Sequence, residues 1–295
     1  MSLARRTAVA SARLVLGSDR ARAVALRARD LKRTTEYRYL REGKRSIAEL
    51  TRYRDAYRGR RCVIIGNGPS LREMDLAPLR DEITFGMNRA YLMFERLGFK
   101  TSFLVAVNRY VVEQCADDIA GAGVPTFVSW HSRHHLQSGA RPTFLCSISR
   151  PGFYGDVRAG LWEGATVTYV TLQLAYHMGF SEVILIGVDH SFATKGTPHQ
   201  LVTSTGDDPN HFDPSYFGKG FRWQLPDLQT SEIAYRMARD AYASDGRSVI
   251  DATVNGRLHV FPKAHFAELF GRSAGTGVEE VRLRLRPTAH GEKSD

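Results

Sequence analysis

The sequence predicts an α/β protein: a Rossmann-like, mostly parallel sheet flanked by helices, preceded by a basic helical extension. Three observations carry this expectation. Cys62–Ile65 and Val183–Ile186 are short unbroken apolar runs, as strands buried on both faces of a parallel sheet require. Successive apolar runs close on Gly66, Asn88, Asn108 and Asp189, polar or glycine positions of the kind that gather ligands at the carboxyl ends of open α/β sheets. A helical stretch, Thr166–Met178, separates the early strands from the Val183 run and stops at Gly179.

The chain opens on residues 1–59, rich in Ala, Leu and Arg, without proline, and therefore helical by propensity. Residues 1–61 hold 18 Lys and Arg against 6 Asp and Glu, a net +12, whereas the whole chain carries +10, so the remaining 234 residues sum to about −2. Leu14, Val15, Val24, Leu26, Leu31, Tyr37 and Leu40 line up as a narrow apolar stripe among these arginines. Such a helix suits an anionic membrane surface or a protein partner. Nucleic acid is not expected, because aromatic residues do not interleave the arginines and no binding module follows.

A nucleotide-binding catalytic domain is expected over 60–270. Its first strand ends in GNGPSL, where Gly66 and Gly68 allow close backbone approach, Pro69 presets a helical φ, and Ser70 stands beside first-turn N–H groups that favour an anion. With Asn67, this turn reads as a phosphate cradle, although it is neither a G-x-G-x-x-G nor a Walker A motif. MDLAPLRD then gives a helix or turn; ITFGMN and SFLVAVN give strands ending on Asn88 and Asn108; VPTFVSW and PTFLCS give two more. Asn at strand ends either binds ligand groups or caps the following turn. After the Thr166 helix and the EVILIGVDH strand, Ser191–Arg222 is a long aperiodic loop, and its aromatic content predicts an ordered lid or site loop. SEIAYRMARDAYAS is a helix from Ser231, SVIDAT a last strand, and 271–295 a loosely ordered tail in which VRLRLR alternates like an edge strand.

Cys62, Cys115 and Cys146 lie far apart in or beside apolar runs, as reduced core thiols do. No run of eighteen apolar residues spans a membrane, and the N-terminal apolar stretch is too short and too interrupted for a secretory signal. A cytoplasmic protein, peripheral on the inner membrane face, is the expectation, and a homo-oligomer is compatible with it. His131, His134 and His135 lack accompanying carboxylates or cysteines at ligand spacing, so no metal site is expected there.

GNGPSL, Asn88, the TVTYVTLQLAYHMGF helix, VILIGVDH and PNHFDPSYFGKG together resemble the MptE-like family, named for an archaeal 6-hydroxymethylpterin diphosphokinase, whose fold is shared by the family-42 bacterial sialyltransferases. The likeness covers roughly residues 60–265. It implies an inverting transfer from a CMP-activated acidic sugar to a glycan or lipid-linked acceptor, with no cofactor required. By that likeness Gly66, Asn67, Gly68, Pro69 and Ser70 hold the CMP phosphate, Asn88 and Asn108 contact nucleotide and sugar, Thr166 and Thr168 begin the helix lining the base pocket, and His211 is the general base. Imidazole suits that role because its ordinary pKa lies near working pH. Ser191 and Thr197 stand where the resemblance expects phosphate-steadying tyrosines, so Tyr216, Lys219 or Arg222 would substitute. Gly164 replaces an expected arginine. The alternative within the resemblance is ATP-dependent diphosphate transfer, with Mg²⁺ held by Asp189 together with Asp207, Asp208 or Asp213. A non-catalytic nucleotide-binding protein is the remaining class.

Overall fold

The computed structural model describes residues 18–136 and 141–271. Helices α1 (Ser18–Tyr39) and α2 (Arg41–Tyr53) come first, followed by strands β1 (Arg61–Ile65), β2 (Thr84–Met87), the one-turn helix α3 (Phe94–Leu97) and β3 (Phe103–Ala106). Then follow α4 (Arg109–Gln114), α5 (Ala116–Gly121), β4 (Thr126–Ser129) and β5 (Thr143–Leu145). The second half holds α6 (Val167–His177), β6 (Glu182–Ile186), the small strands β7 (Leu201–Thr203) and β8 (Arg222–Gln224), α7 (Leu228–Ser244), β9 (Ser248–Asp251) and α8 (Phe266–Phe270).

Seven strands form one parallel sheet in the order β5-β4-β3-β2-β1-β6-β9. The chain builds outward from β1 to β5, then returns to add β6 on the other side of β1. Ile65 lies beside Gly86 on one neighbour and Ile186 on the other. The strand order therefore reverses between β1 and β6, and open α/β sheets gather ligands at the carboxyl ends beside such a reversal. Alternation along β1 separates two cores: Cys62 and Ile64 pack with α6 and α7, whereas Val63 and Ile65 pack with Leu71, Leu79 and the aromatic residues of the long loop. β7 and β8 form an antiparallel ribbon within that loop.

The described part of the basic N-terminal segment, from Ser18 onward, is strapped to the sheet rather than hanging free of it. Tyr37 and Leu50 are fully buried, the Tyr37 hydroxyl donates to the carbonyl of Phe144 (2.7 Å), and the Phe144 amide donates to Ser46 Oγ (2.9 Å). Asp30 accepts from the amide and hydroxyl of Ser149 (2.7 and 2.9 Å). The expected apolar stripe is therefore divided: Tyr37 faces inward while Val24, Leu31 and Leu40 face solvent. Leu14, Val15 and the VRLRLR alternation lie outside the described residues.

Local chemistry adjusts other expectations. The turn after β1 continues as a five-residue 3₁₀ helix, Pro69–Glu73, because Met74 is already extended. α7 begins at Leu228, three residues before Ser231, since the Asp227 side chain accepts from the Thr230 amide (2.9 Å) as its N-cap. Gly164 sits at φ +56°, and a Cβ there would come within 2.5 Å of Tyr169 and Ala234. No arginine fits at that position.

Candidate active site

At the β1–β6 reversal, the glycines serve close packing. Gly66 N donates to Ile186 O (2.7 Å) and Gly68 N to Gly187 O (2.9 Å), so the two loops are laced together beyond the ends of their strands. A Cβ on Gly66 would lie 2.0 Å from Gly187 O, and one on Gly68 would lie 1.7 Å from Asp189 Oδ2. The Ser70 amide and hydroxyl both donate to Asp189, at 3.1 and 2.7 Å. This corrects the phosphate-cradle reading: the anion at this helix start is the protein's own carboxylate, and Pro69 and Ser70 stand outside the cavity lining. Burial raises the Asp189 pKa against the lowering effect of the Ser70 bonds.

What the tight corner does is present Asn67. Its Oδ1 is buried without a hydrogen-bond partner, and Asn88 Oδ1 at the end of β2 is in the same condition. Both line one cavity of about 450 Å³ that runs across the carboxyl ends of the strands. Buried orphan acceptors cost free energy unless something donates to them. Asn88 also adopts φ +51°, a left-handed conformation that Asn tolerates better than most residues. Asn108 lines the cavity too, but its Oδ1 caps α4 by accepting from the amides of Tyr110 (3.0 Å) and Val111 (3.3 Å). Thr166 caps α6 through the Thr168 amide (3.3 Å), and both threonines reach the cavity.

His211 lies on the wall of the same cavity as Asn67. Its Nδ1 is 2.6 Å from Asp208 Oδ2, and its ring stacks on Tyr216 with centroids 4.0 Å apart and planes 10° from parallel. Among the described residues Nε2 has no protein partner, which is the arrangement of an imidazole oriented by a carboxylate with its other nitrogen available. Burial opposes ionisation of Asp208, but hydrogen bonds and charge from His211, with the amides of Asn210 and Phe217, hold its pKa below the ordinary value. The loop is clamped onto the corner. Phe212 N donates to Asn67 O (2.8 Å), and the Arg72 guanidinium donates to the carbonyls of Phe212 (2.9 Å) and His211 (2.7 Å). Arg89 holds the carbonyls of Ser215 and Tyr216.

The cavity thus gathers Gly66, Asn67, Gly68, Asn88, Asn108, Thr166, Thr168, Asp189, His211 and Tyr216. It does not gather Lys219, which is exposed, or Arg222, which lies on β8 paired with Glu113 at 2.9 Å. Neither is part of the cavity wall. Tyr216 is buried beneath the imidazole, its phenol 3.4 Å from the Arg89 amide. Of the carboxylates named for Mg²⁺, Asp189 is engaged with Ser70, Asp208 with His211 and Asp213 with Ser215, while Asp207 is exposed and outside the cavity lining. Among the described residues no group of three His, Cys, Asp or Glu side chains is placed to hold a metal ion. Sequence reasoning missed Asp208 as partner of His211, although the D-x-x-H spacing in a polar loop was there to be read.

His131 also lines the cavity, and its pKa is pushed down to about 4 by burial and by the charges of Arg33, Arg109, Arg29 and His135. Its ordinary value is 6.5, so between these limits the unfolded chain binds a proton that the folded chain refuses. Stability must fall as pH drops from 6.5 toward 4, with His177, whose pKa is also lowered by burial, adding to the effect. Thermal unfolding at pH 7 and pH 5 should show a smaller drop for His131→Asn than for the parent chain. Identical slopes would remove His131 as a source.

A family model described as 6-hydroxymethylpterin diphosphokinase MptE-like matches residues 35–195, beginning inside α1. No curated protein matches the chain. Among solved structures, the MAf glycosyltransferase from Magnetospirillum magneticum AMB-1 aligns at 14% identity with a TM-score of 0.46, over 80% of this chain and 40% of that one. The chain therefore spans well under half the length of that structure.

Proposed function

This chain belongs to the MptE-like family, and on that footing we propose that it is a nucleotide-dependent group transferase, specifically an inverting glycosyltransferase that takes a CMP-activated acidic sugar. One observation carries the reading: a carboxylate-held imidazole and two partnerless amide oxygens meet in a single cavity at the sheet's switch point. In this mechanism neutral His211 uses Nε2 to take the proton of an acceptor hydroxyl. The freed oxygen attacks the anomeric carbon, the bond from that carbon to the phosphate oxygen breaks, and CMP leaves from the opposite face, inverting configuration in one displacement. Asp208 holds Nδ1–H and stabilises the imidazolium that forms. Asn67 and Asn88 accept hydroxyl hydrogens of ribose or sugar, which supplies the donors their buried oxygens lack.

The family description itself favours a second reading, diphosphate transfer from ATP to a hydroxymethylpterin. Incubating the protein with CMP-nonulosonates, and separately with ATP, Mg²⁺ and 6-hydroxymethylpterin, separates the two. Release of CMP supports the glycosyltransferase; release of AMP without CMP from any donor assigns the diphosphokinase.

A surface glycan or lipid-linked acceptor fits the outer face of α1, where exposed Val24 and Leu31 lie among Arg20, Arg22 and Arg27. No described helix is long and apolar enough to cross a membrane. Docking on an anionic lipid surface is the proposed role of this face. Val24→Glu with Leu31→Glu should reduce sedimentation with phosphatidylglycerol vesicles at least about tenfold, and unchanged sedimentation would retire the membrane role.

A further inference from the structure

At the other end of the cavity stands a polar chain that the displacement mechanism does not use. Ser147 Oγ donates to Glu163 Oε1, Ser129 Oγ lies 3.5 Å from the same oxygen and 3.3 Å from Ser147 Oγ, and His131 Nδ1 is 2.7 Å from Ser129 Oγ. Ser129 is fully buried and Ser147 nearly so. The loop bearing Glu163 is pinned in place beyond β5, with Leu161 N donating to Cys146 O (2.9 Å) and Ile148 N to Leu161 O (2.8 Å). Arg33 of α1 donates to the Ser147 carbonyl behind it. Glu163 and His131 both line the cavity.

The unspent valences of this chain define what it can receive. Oε1 of Glu163 is taken by serine hydroxyls, while Oε2 has no partner among the described residues. His131 likewise has Nδ1 spent on Ser129 and Nε2 without a protein partner among the described residues. Burial raises the Glu163 pKa against the lowering effect of the Ser147 bond, the Arg33 charge and the Ser129 bond; in its ionised form Oε2 needs an N–H or O–H donor. Arg109 also lines the cavity, and the charges of Arg33, Arg109 and Arg29 act on His131, so this end carries cations beside its carboxylate. It lies at the end of β4, three strands from β1, which at sheet spacing is roughly 14 Å from the Asn67 corner. A nucleotide whose anionic part sits by Asn67 and His211 directs its heterocycle the other way, along the strand ends.

We propose that the Glu163 end of the cavity is a selectivity site for a heterocycle bearing an exocyclic amino group, with Glu163 Oε2 accepting from that amino N–H and the two serines fixing the carboxylate. A carbonyl in place of the amino group would set two acceptors against each other, which a site built on hydrogen bonding rejects. The inference rests on the nucleotide reading of the cavity, but it does not depend on which sugar, phosphate or pterin is transferred.

Equilibrium dialysis of the full chain with the amino and oxo pairs CMP against UMP and AMP against IMP tests it. For whichever pair binds, the amino member should bind at least about tenfold tighter, and Glu163→Gln, which offers an N–H in place of the acceptor, should bring the two members within about twofold. Equal binding of amino and oxo members by the parent chain overturns the selectivity site while leaving the nucleotide cavity standing. A ratio that survives Glu163→Gln in a variant with unchanged melting temperature assigns selectivity to other residues and overturns the role of Glu163. Absence of binding by all four nucleotides overturns the nucleotide reading, and this inference with it. The preference of the parent chain needs no variant, so the proposal stays exposed even if Glu163→Gln does not fold.

Discussion

Replacing His211 with Ala should lower kcat by roughly 10² to 10⁴ while leaving nucleotide affinity within a few-fold of the parent. The separation follows from where the ring sits. Nδ1 is committed to Asp208, the face is committed to Tyr216, and Nε2 alone is left for chemistry. The backbone of the loop is held independently of the ring, by Arg72 on the His211 and Phe212 carbonyls and by the Phe212 amide on Asn67 O. Removing the imidazole therefore takes away the base without releasing the corner. Asp208→Asn should fall in the same direction, because an amide in that place no longer stabilises the charge that His211 acquires on taking a proton. Initial-rate kinetics with donor varied, alongside direct binding of the nucleotide product, checks both parts. A His211→Ala enzyme with parental kcat has some other base.

Deleting residues 1–57 should abolish cooperative folding rather than merely detach a membrane anchor. Composition alone presents this segment as a basic appendage, yet the deletion removes Tyr37 and Leu50 from the two cores, the Ser46 hydroxyl from the Phe144 amide, and the hydrogen bonds tying α1 to the loop after β5. Large-to-small changes at fully buried Leu positions cost about 2–5 kcal/mol each, and a whole domain has only about 5–15 kcal/mol in hand. Two such side chains together account for about 4–10 kcal/mol, most of that margin before the lost hydrogen bonds and helix packing are added. Leu50→Ala alone, measured by denaturant unfolding, should cost about 2–5 kcal/mol. A truncated chain that unfolds with a sharp transition at the parent midpoint would show α1 and α2 to be dispensable.

The parts of this molecule that were legible in the sequence are those where one physical signal dominates. Strands β1 and β6 are read from unbroken apolar runs, α6 from its capped start at Thr166 and glycine stop, and the aromatic loop as an ordered element from its composition. Asn67, Asn88 and His211 were marked by their places at strand ends or in that loop, and they share one cavity. What stayed hidden depends on pairings that no local pattern encodes. Ser70 has the chemistry of a phosphate ligand, but Asp189, 119 residues later, occupies both its donors. Arg222 has the charge of a phosphate clamp, but β8 turns it toward Glu113. Glu163 carries no motif, and only the bridging of its loop to the residues after β5 brings it beside Ser147. The inward face of α1 was concealed because Tyr37 and Ala21 are few among many exposed arginines.

Crystals of the chain soaked with CMP, and in parallel with AMP, put the central claim to its most direct trial. Density for a nucleotide in the 450 Å³ cavity is the predicted result, with hydroxyls donating to Asn67 Oδ1 and Asn88 Oδ1 and the His211 ring facing the phosphate end. A nucleotide ordered anywhere else on the protein, with both amide oxygens still unpartnered, would contradict it.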